Sequence, residues 1–252
     1  MGGCYKSYFI SYISMSKKFS LEVPLDLSAI TLRQYQKYLD IIKTNEGAEK
    51  SDFVSLKMIE IFCNTSLKDA SELPVKDFSP IISHLNGLFQ QDTPLVRDIT
   101  IRGTNNKEVQ LGFIPKLEDM SMGEFVDLDT FIVDWKDMHK AMAVLYRPMK
   151  FKRKEKYLIH KYKASDEYYE LMKDMPVTVA LGAMVFFYRL GKELAKYTMD
   201  SLVQQAQKGE AHIQKDLEKS GVGINQYIHS LKEMSKELTR LPNYLSNNAL
   251  YG

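Results

Sequence analysis

Apolar residues recur along this chain at two spacings, and the switches between them mark its elements. Over 19–25, FSLEVPL alternates and predicts a short strand. Thr31 followed by Gln34 then offers a capping box, and Leu32, Tyr35, Leu39 and Ile42 follow at the three- and four-residue spacing of a helix. A polar link, TNEGAEKS (44–51), leads to a second helix through Phe53, Leu56, Met58, Ile59 and Phe62, apolar over a wide arc and so read as packed against the first. Ser66 with Asp69 caps one short turn, Pro74 breaks it, and a helix from about Asp77 to Phe89 carries Pro80 in its first turn, where a missing amide costs little.

Between Val96 and Pro115 the period falls to two. RDITIR and KEVQLGFIP, separated by Gly103, Asn105 and Asn106, predict a β-hairpin. Ser121 and Glu124 form a second capping box, after which Phe125, Leu128, Ile132, Trp135, Met138, Met142 and Leu145 recur up to Arg147 and a proline stop at Pro148. A break near Asp134 would split this stretch into two packed helices without spoiling the pattern. From Asp166 onward the chain reads as helical. The uncharged run from Met175 to Tyr188 is too short to span a bilayer, which needs about 20 residues, and reads instead as a buried helix whose Gly182 and Ala183 let a neighbour approach closely. It turns amphipathic through Leu190, Leu194, Tyr197 and Leu202. Beyond a polar linker, Ile224, Ile228, Leu231, Leu238 and Leu241 follow a heptad-like spacing that ends at Pro242.

These elements predict an α+β fold, mainly α, with one hairpin. A helical core spans 16–163 with its hairpin at about 96–115, long buried or amphipathic helices occupy 164–207, a linker 208–223, and an amphipathic helix and tail 224–252. Residues 1–15 are expected to be a disordered extension, or a stretch upstream of a true start at Met15.

With 252 residues, 44% of them hydrophobic, the chain can bury a sizeable core. Lysine and arginine (34) nearly balance aspartate and glutamate (32), so net charge gives no argument for nucleic acid or anionic membrane, and charge has to be read locally. Cys4 and Cys63 stand in dissimilar settings, which argues against a disulfide and for a reducing compartment.

The carboxylates Glu124, Asp127, Asp129, Asp134 and Asp137 invite a metal or acid–base reading, but no DxDxDG loop or HxxE pair completes a site, and acidic side chains also belong near a helix start. They are read as a solvated acidic face. His84 lacks a second ligand at helical spacing and is read as a packing residue. No catalytic residue, cofactor or metal site is assigned. The one strongly basic stretch, MKFKRKEKYLIHKYK, holds Lys150, Lys152, Arg153, Lys154 and Lys156, with Tyr157, His160 and Tyr162 interleaved. It is read as a solvated extended connector; contact with nucleic acid or an acidic protein surface is the other reading. The residues expected to dock a partner are Phe186, Phe187 and Leu190, with Ile224, Ile228, Leu231 and Leu238 on the last helix.

Seven segments carry a resemblance: TLRQYQKYLDI (31–41), MIEIFCN (58–64), LPVKDF (73–78), GFIPKLEDMSMGEFVDLDTFIVDW (112–135), MHKAMAVLYRPM (138–149), MPVTVALGAMVFFYRLG (175–191) and SGVGINQ (220–226). In order and wording the chain resembles tail or baseplate assembly chaperone-like and virion-associated proteins of large tailed bacteriophages. The resemblance implies a non-enzymatic factor in the cytoplasm of the infected host, binding a tail component such as the tape measure protein or the baseplate hub during morphogenesis. The alternative it leaves is a structural baseplate or neck component of the virion. Self-association is a further option and no membrane partner is expected. A nucleic-acid role through 147–163 is the weaker reading. No catalytic residue comes with the resemblance.

Overall fold

The computed structural model describes residues 7–13, 18–47, 51–103, 108–154 and 156–190. The linker at 208–223, the final helix expected over 224–252 and its Ile224, Ile228, Leu231 and Leu238 lie outside them.

Within these residues the fold is α+β and mainly α, as the periodicities predict. Strand β1 (Ser7–Ile13) pairs antiparallel with β2 (Lys18–Pro24), in register from Ser7 opposite Pro24 to Ile13 opposite Lys18. The sequence placed residues 7–13 in an extension ahead of the fold; the structure makes them the partner of the strand read at FSLEVPL. The physical reason is visible in SYFISYI, whose aromatic and β-branched residues favour a pleated ribbon. On β2 the alternate residues Leu21 and Val23 are fully buried.

Helices α1 (Leu32–Thr44), α2 (Asp52–Phe62), α3 (Leu67–Ser71) and α4 (Val75–Leu88) follow. The Thr31–Gln34 box is formed, and Ser51 and Ser66 cap the next two helices through their side chains. α4 starts at Val75 with Pro74 as its cap, two residues earlier than expected, so Pro80 lies inside the helix and not in its first turn. Their aromatic residues interlock. Tyr35 stacks on Phe89 at 5.6 Å and meets Trp135 edge-on at 4.9 Å, while Phe62 meets Tyr38 at 5.0 Å and Phe89 at 5.5 Å between ring centroids. Cys63 caps α2 inside this cluster, where burial pushes its thiol up to about 12 and keeps it protonated. His84 bonds the carbonyl of Pro24 at 2.8 Å, the packing role expected of it.

A four-stranded antiparallel sheet in the order β3-β4-β5-β6 forms the second layer: β3 (Asp98–Arg102), β4 (Glu108–Phe113), β5 (Tyr146–Arg153) and β6 (Lys156–Ile159). β3 and β4 are the hairpin read at 96–115. Between β4 and β5 the chain makes α5 (Met122–Phe131) and α6 (Met138–Leu145), separated by a 3-10 turn at Trp135–Asp137 that the Asp134 side chain caps. The break expected near Asp134 is therefore present. The expected helix to Arg147 is shorter, ending at Leu145. Tyr146 is already strand, because Tyr146 and Pro148 find cross-strand partners in Phe113 and Leu111, and a residue preceding proline disfavours helix.

The basic stretch is also not a connector. Lys150 to Lys156 belong to the β5–β6 ribbon, which turns at Lys154 with φ of 55° and carries a bulge between Met149 and Phe151. The ring of Tyr157 lies over Gly112, where a Cβ would come within 2.6 Å of it, and the Tyr157 hydroxyl donates to the carbonyl of Phe113 at 2.6 Å. Side-chain cover of a glycine two strands away, across β5, stitches the ribbon to the hairpin.

α7 (Asp166–Met172) and α8 (177–190) close the described fold. Gly182 faces the 93–94 backbone so closely that a Cβ would sit 2.9 Å from the carbonyl carbon of Pro94. That is the close approach read from Gly182. Gly182→Ala is therefore expected to destabilise the fold by about 1–3 kcal/mol. Gly87→Ala, on the exposed side of α4 with open space around it, should stabilise by up to about 1 kcal/mol. Urea unfolding of the two variants checks the pair of opposite signs.

Candidate functional site

A concavity among the described residues lies between the sheet and α7, and its position follows from how α7 is tied down. The first amides of α1 have no partner within their own helix. They are met by the turn after α7: Leu32 N donates to Met175 O and Arg33 N to Lys173 O, both at 2.8 Å, and Val177 N returns a bond to Ile30 O at 2.8 Å. The Arg33 guanidinium adds contacts to Asp174 at 3.1 Å and Glu170 at 3.2 Å. At the other side the Tyr168 hydroxyl donates to the carbonyl of Tyr146 at 2.5 Å, and burial raises its pKa so that it stays a donor. Tyr162 donates to Asp127 and is bridged to Tyr169, each at 2.9 Å, which lays the chain between β6 and α7 along the base of α5.

These ties leave a half-open groove of about 870 Å³. Its floor is Val109, Pro148, Tyr162, Tyr168 and Leu171. One wall is basic, with Lys150, His160, Lys161 and Lys163. The α7 side is acidic: Glu167 and Glu170 stand at helical spacing on α7, and Asp174 follows.

Arg147 stands at the inner end. Its Nη1 pairs with Glu124 Oε1 at 2.9 Å, its Nε donates to Val144 O at 3.0 Å, and its buried Nη2 has no hydrogen-bond partner. The other oxygen of Glu124 accepts from Ser121 N at 2.7 Å. One carboxylate thus caps α5 and holds α5 to β5, with both charges close to fully buried. Three more acidic residues of this region are engaged in structure as well. Asp127 accepts a hydrogen bond from the Tyr162 hydroxyl, Asp134 caps Lys136 N and Asp137 pairs with Lys140. Among the described residues no three His, Cys, Asp or Glu side chains come together as a metal set.

His139 is placed inside the core. Its Nδ1 accepts from Gln36 Nε2 at 3.1 Å, and that amide also donates to the carbonyl of Trp135 at 2.6 Å. Burial first, then Lys173 and Lys140, lowers the His139 pKa to about 4. The ring is neutral at pH 7 and does not share a pocket with His160.

Of the residues expected to dock a partner, Phe187 is buried and used by the chain's own core: its ring and that of Phe186 flank Phe113 at 6.3 and 5.9 Å. Phe186 and Leu190 are half-buried against the same core. Of the basic residues, Lys150 lines the groove, Lys152 pairs with Asp98 at 2.9 Å, and Arg153, Lys154 and Lys156 surround the ribbon turn. Sequence reading missed Arg33, Arg147, Glu167 and Asp174. Only the tyrosines and histidine interleaved in the basic stretch hinted at a built surface.

Compared with protein families, with curated proteins and with solved structures, the chain finds no match in any of the three.

Glu124→Ala should destabilise the protein by about 3–5 kcal/mol, because it leaves the Arg147 charge buried and unpaired. Glu124→Leu combined with Arg147→Met should lose much less, and chemical denaturation of the two variants separates the cases. Stability should also fall with acidification between about pH 6.5 and 4. In that window the unfolded chain protonates His139 and the folded one does not, at up to about 1.4 kcal/mol per pH unit. His139→Gln is expected to flatten that slope in melting curves recorded across the window.

Proposed function

We propose that this chain is a non-enzymatic protein-binding factor, of the kind that chaperones a tail component of a large tailed phage during assembly. The observation that carries the reading is the groove. It combines an apolar floor with walls of both charges, which suits a stretch of polypeptide better than a small metabolite or a continuous polyanion. The resemblance in segment order supplies the specific form: a factor in the cytoplasm of the infected host that binds the tape measure protein or the baseplate hub. The 13 methionines, adaptable in shape, are compatible with such contacts. The second reading from the resemblance is a baseplate or neck component that stays in the virion.

Quantitative mass spectrometry of purified virions separates the two. An assembly factor is expected to be absent or far below the copy number of tail proteins, yet to co-purify with one of them from infected cells. Presence at stoichiometric copy number would overturn the chaperone reading in favour of the virion component. A chain ending at Ser220 should retain capture if the groove is the docking element; loss of capture would move the contact to the last helix.

A further inference from the structure

We infer that the groove takes an extended peptide segment carrying both carboxylates and large apolar side chains; this deepens the reading of the chain as a protein-binding factor and rests on it. The charge of the occupant follows from which groove residues are already paired. Glu170 and Asp174 are held by Arg33, Glu170 also by Lys173, and Arg147 is held by Glu124. Lys150, Lys161 and Lys163 line the groove with no ion-pair partner among the described residues, against the single carboxylate of Glu167. The unpaired charge is thus positive, and it lies along one wall.

The apolar requirement comes from the ribbon. Phe151 and Leu158 are opposite each other in register, and 58% and 63% of their surfaces are exposed. Tyr157 and Ile159 cover Gly112 on the other face of β6, so by alternation Leu158 shares its face with His160, which lines the groove. Phe151, as the cross-strand partner of Leu158, shares that face. The exposed pair therefore continues the groove past its basic wall, where aromatic and aliphatic anchors flanked by cations would hold the apolar side chains of an acidic segment.

Other polyanions fit less well. A nucleic-acid backbone would carry a charge at every step past the carboxylate of Glu167 and bring no aliphatic side chain to Leu158.

The test uses the ¹⁵N-labelled full chain titrated at low salt with four probes: a short peptide alternating glutamate with leucine and phenylalanine, its lysine counterpart, an all-polar glutamate–serine peptide, and an oligothymidine. The first should bind at least about tenfold more tightly than the others and shift amides of Lys150, Phe151, Leu158 and His160. Lys150→Glu with Lys161→Glu and Lys163→Glu should weaken it by about tenfold or more, and Phe151→Ser with Leu158→Ser by a similar factor. All five positions are at the surface, and the amide spectrum itself reports whether each variant remains folded; Lys→Gln replacements at the three lysines provide the milder arm. Equal binding of the lysine peptide, tighter binding of oligothymidine, no shifts with the acidic peptide, or indifference of folded variants would each overturn the inference. Capture of a tail protein unaffected by the lysine reversals would overturn the groove's role and leave the assembly reading standing. Acidic-peptide binding with no tail protein captured from infected cells would do the reverse.

Discussion

The described fold is organised around a short helix that has almost no outside. Every residue of α6 except Lys140 is buried, so Met138–Leu145 must be covered on nearly all sides at once. Such a helix cannot be stabilised by an amphipathic face of its own, and its neighbours supply the cover. The 3-10 turn before it brings Trp135 onto Tyr35 of α1, β4 reaches its end through the bond from Ile114 N to Leu145 O, and α7 packs alongside. The layers therefore depend on one another through α6 more than through direct contact.

That arrangement also accounts for the groove. The chain leaves α6 directly into β5 with no intervening loop, and the first residues of the strand are committed inward: Tyr146 to Phe113 and the carbonyl of Val96, Arg147 to Glu124. Only from Pro148 onward do strand residues become partly exposed, and a bulge interrupts the register between Met149 and Phe151. α7 is held at one end to α1 and at the other to the start of β5. The space between a helix fixed close to the core and the exposed part of the ribbon is what remains open.

How much of this was legible in the chain depends on whether a feature is local. The boxes at Thr31–Gln34 and Ser121–Glu124, the hairpin at Asp98–Phe113 and the break at Asp134 each lie within a few residues of sequence and were read from it. Gly182 was read as a contact point without its partner, because Pro94 is far away in the chain. The β5–β6 ribbon was missed for a physical reason: Phe151 and Leu158 are exposed and lysines fill the alternate positions, so burial leaves no period-two signal. The groove had no signature at all. Arg33, Arg147, Lys150, Glu167 and Asp174 come from four separate elements and acquire a common role only through the pairing of α1 with the turn after α7.

That pairing has a consequence for the order in which the protein can be made. The amides of Leu32 and Arg33 and the carbonyl of Ile30 find their partners at residues 173–177, 140 to 147 positions later in the chain. Loop-closure entropy makes contacts of this kind slow to form. During synthesis, the helices after Thr31 can gather around their aromatic cluster early, but the start of α1 and the seat of α6 stay incomplete until the ribosome has delivered the segment through Val177. The nascent chain must carry this site open until then, and the turn after α7 acts as the clasp that ends that exposure.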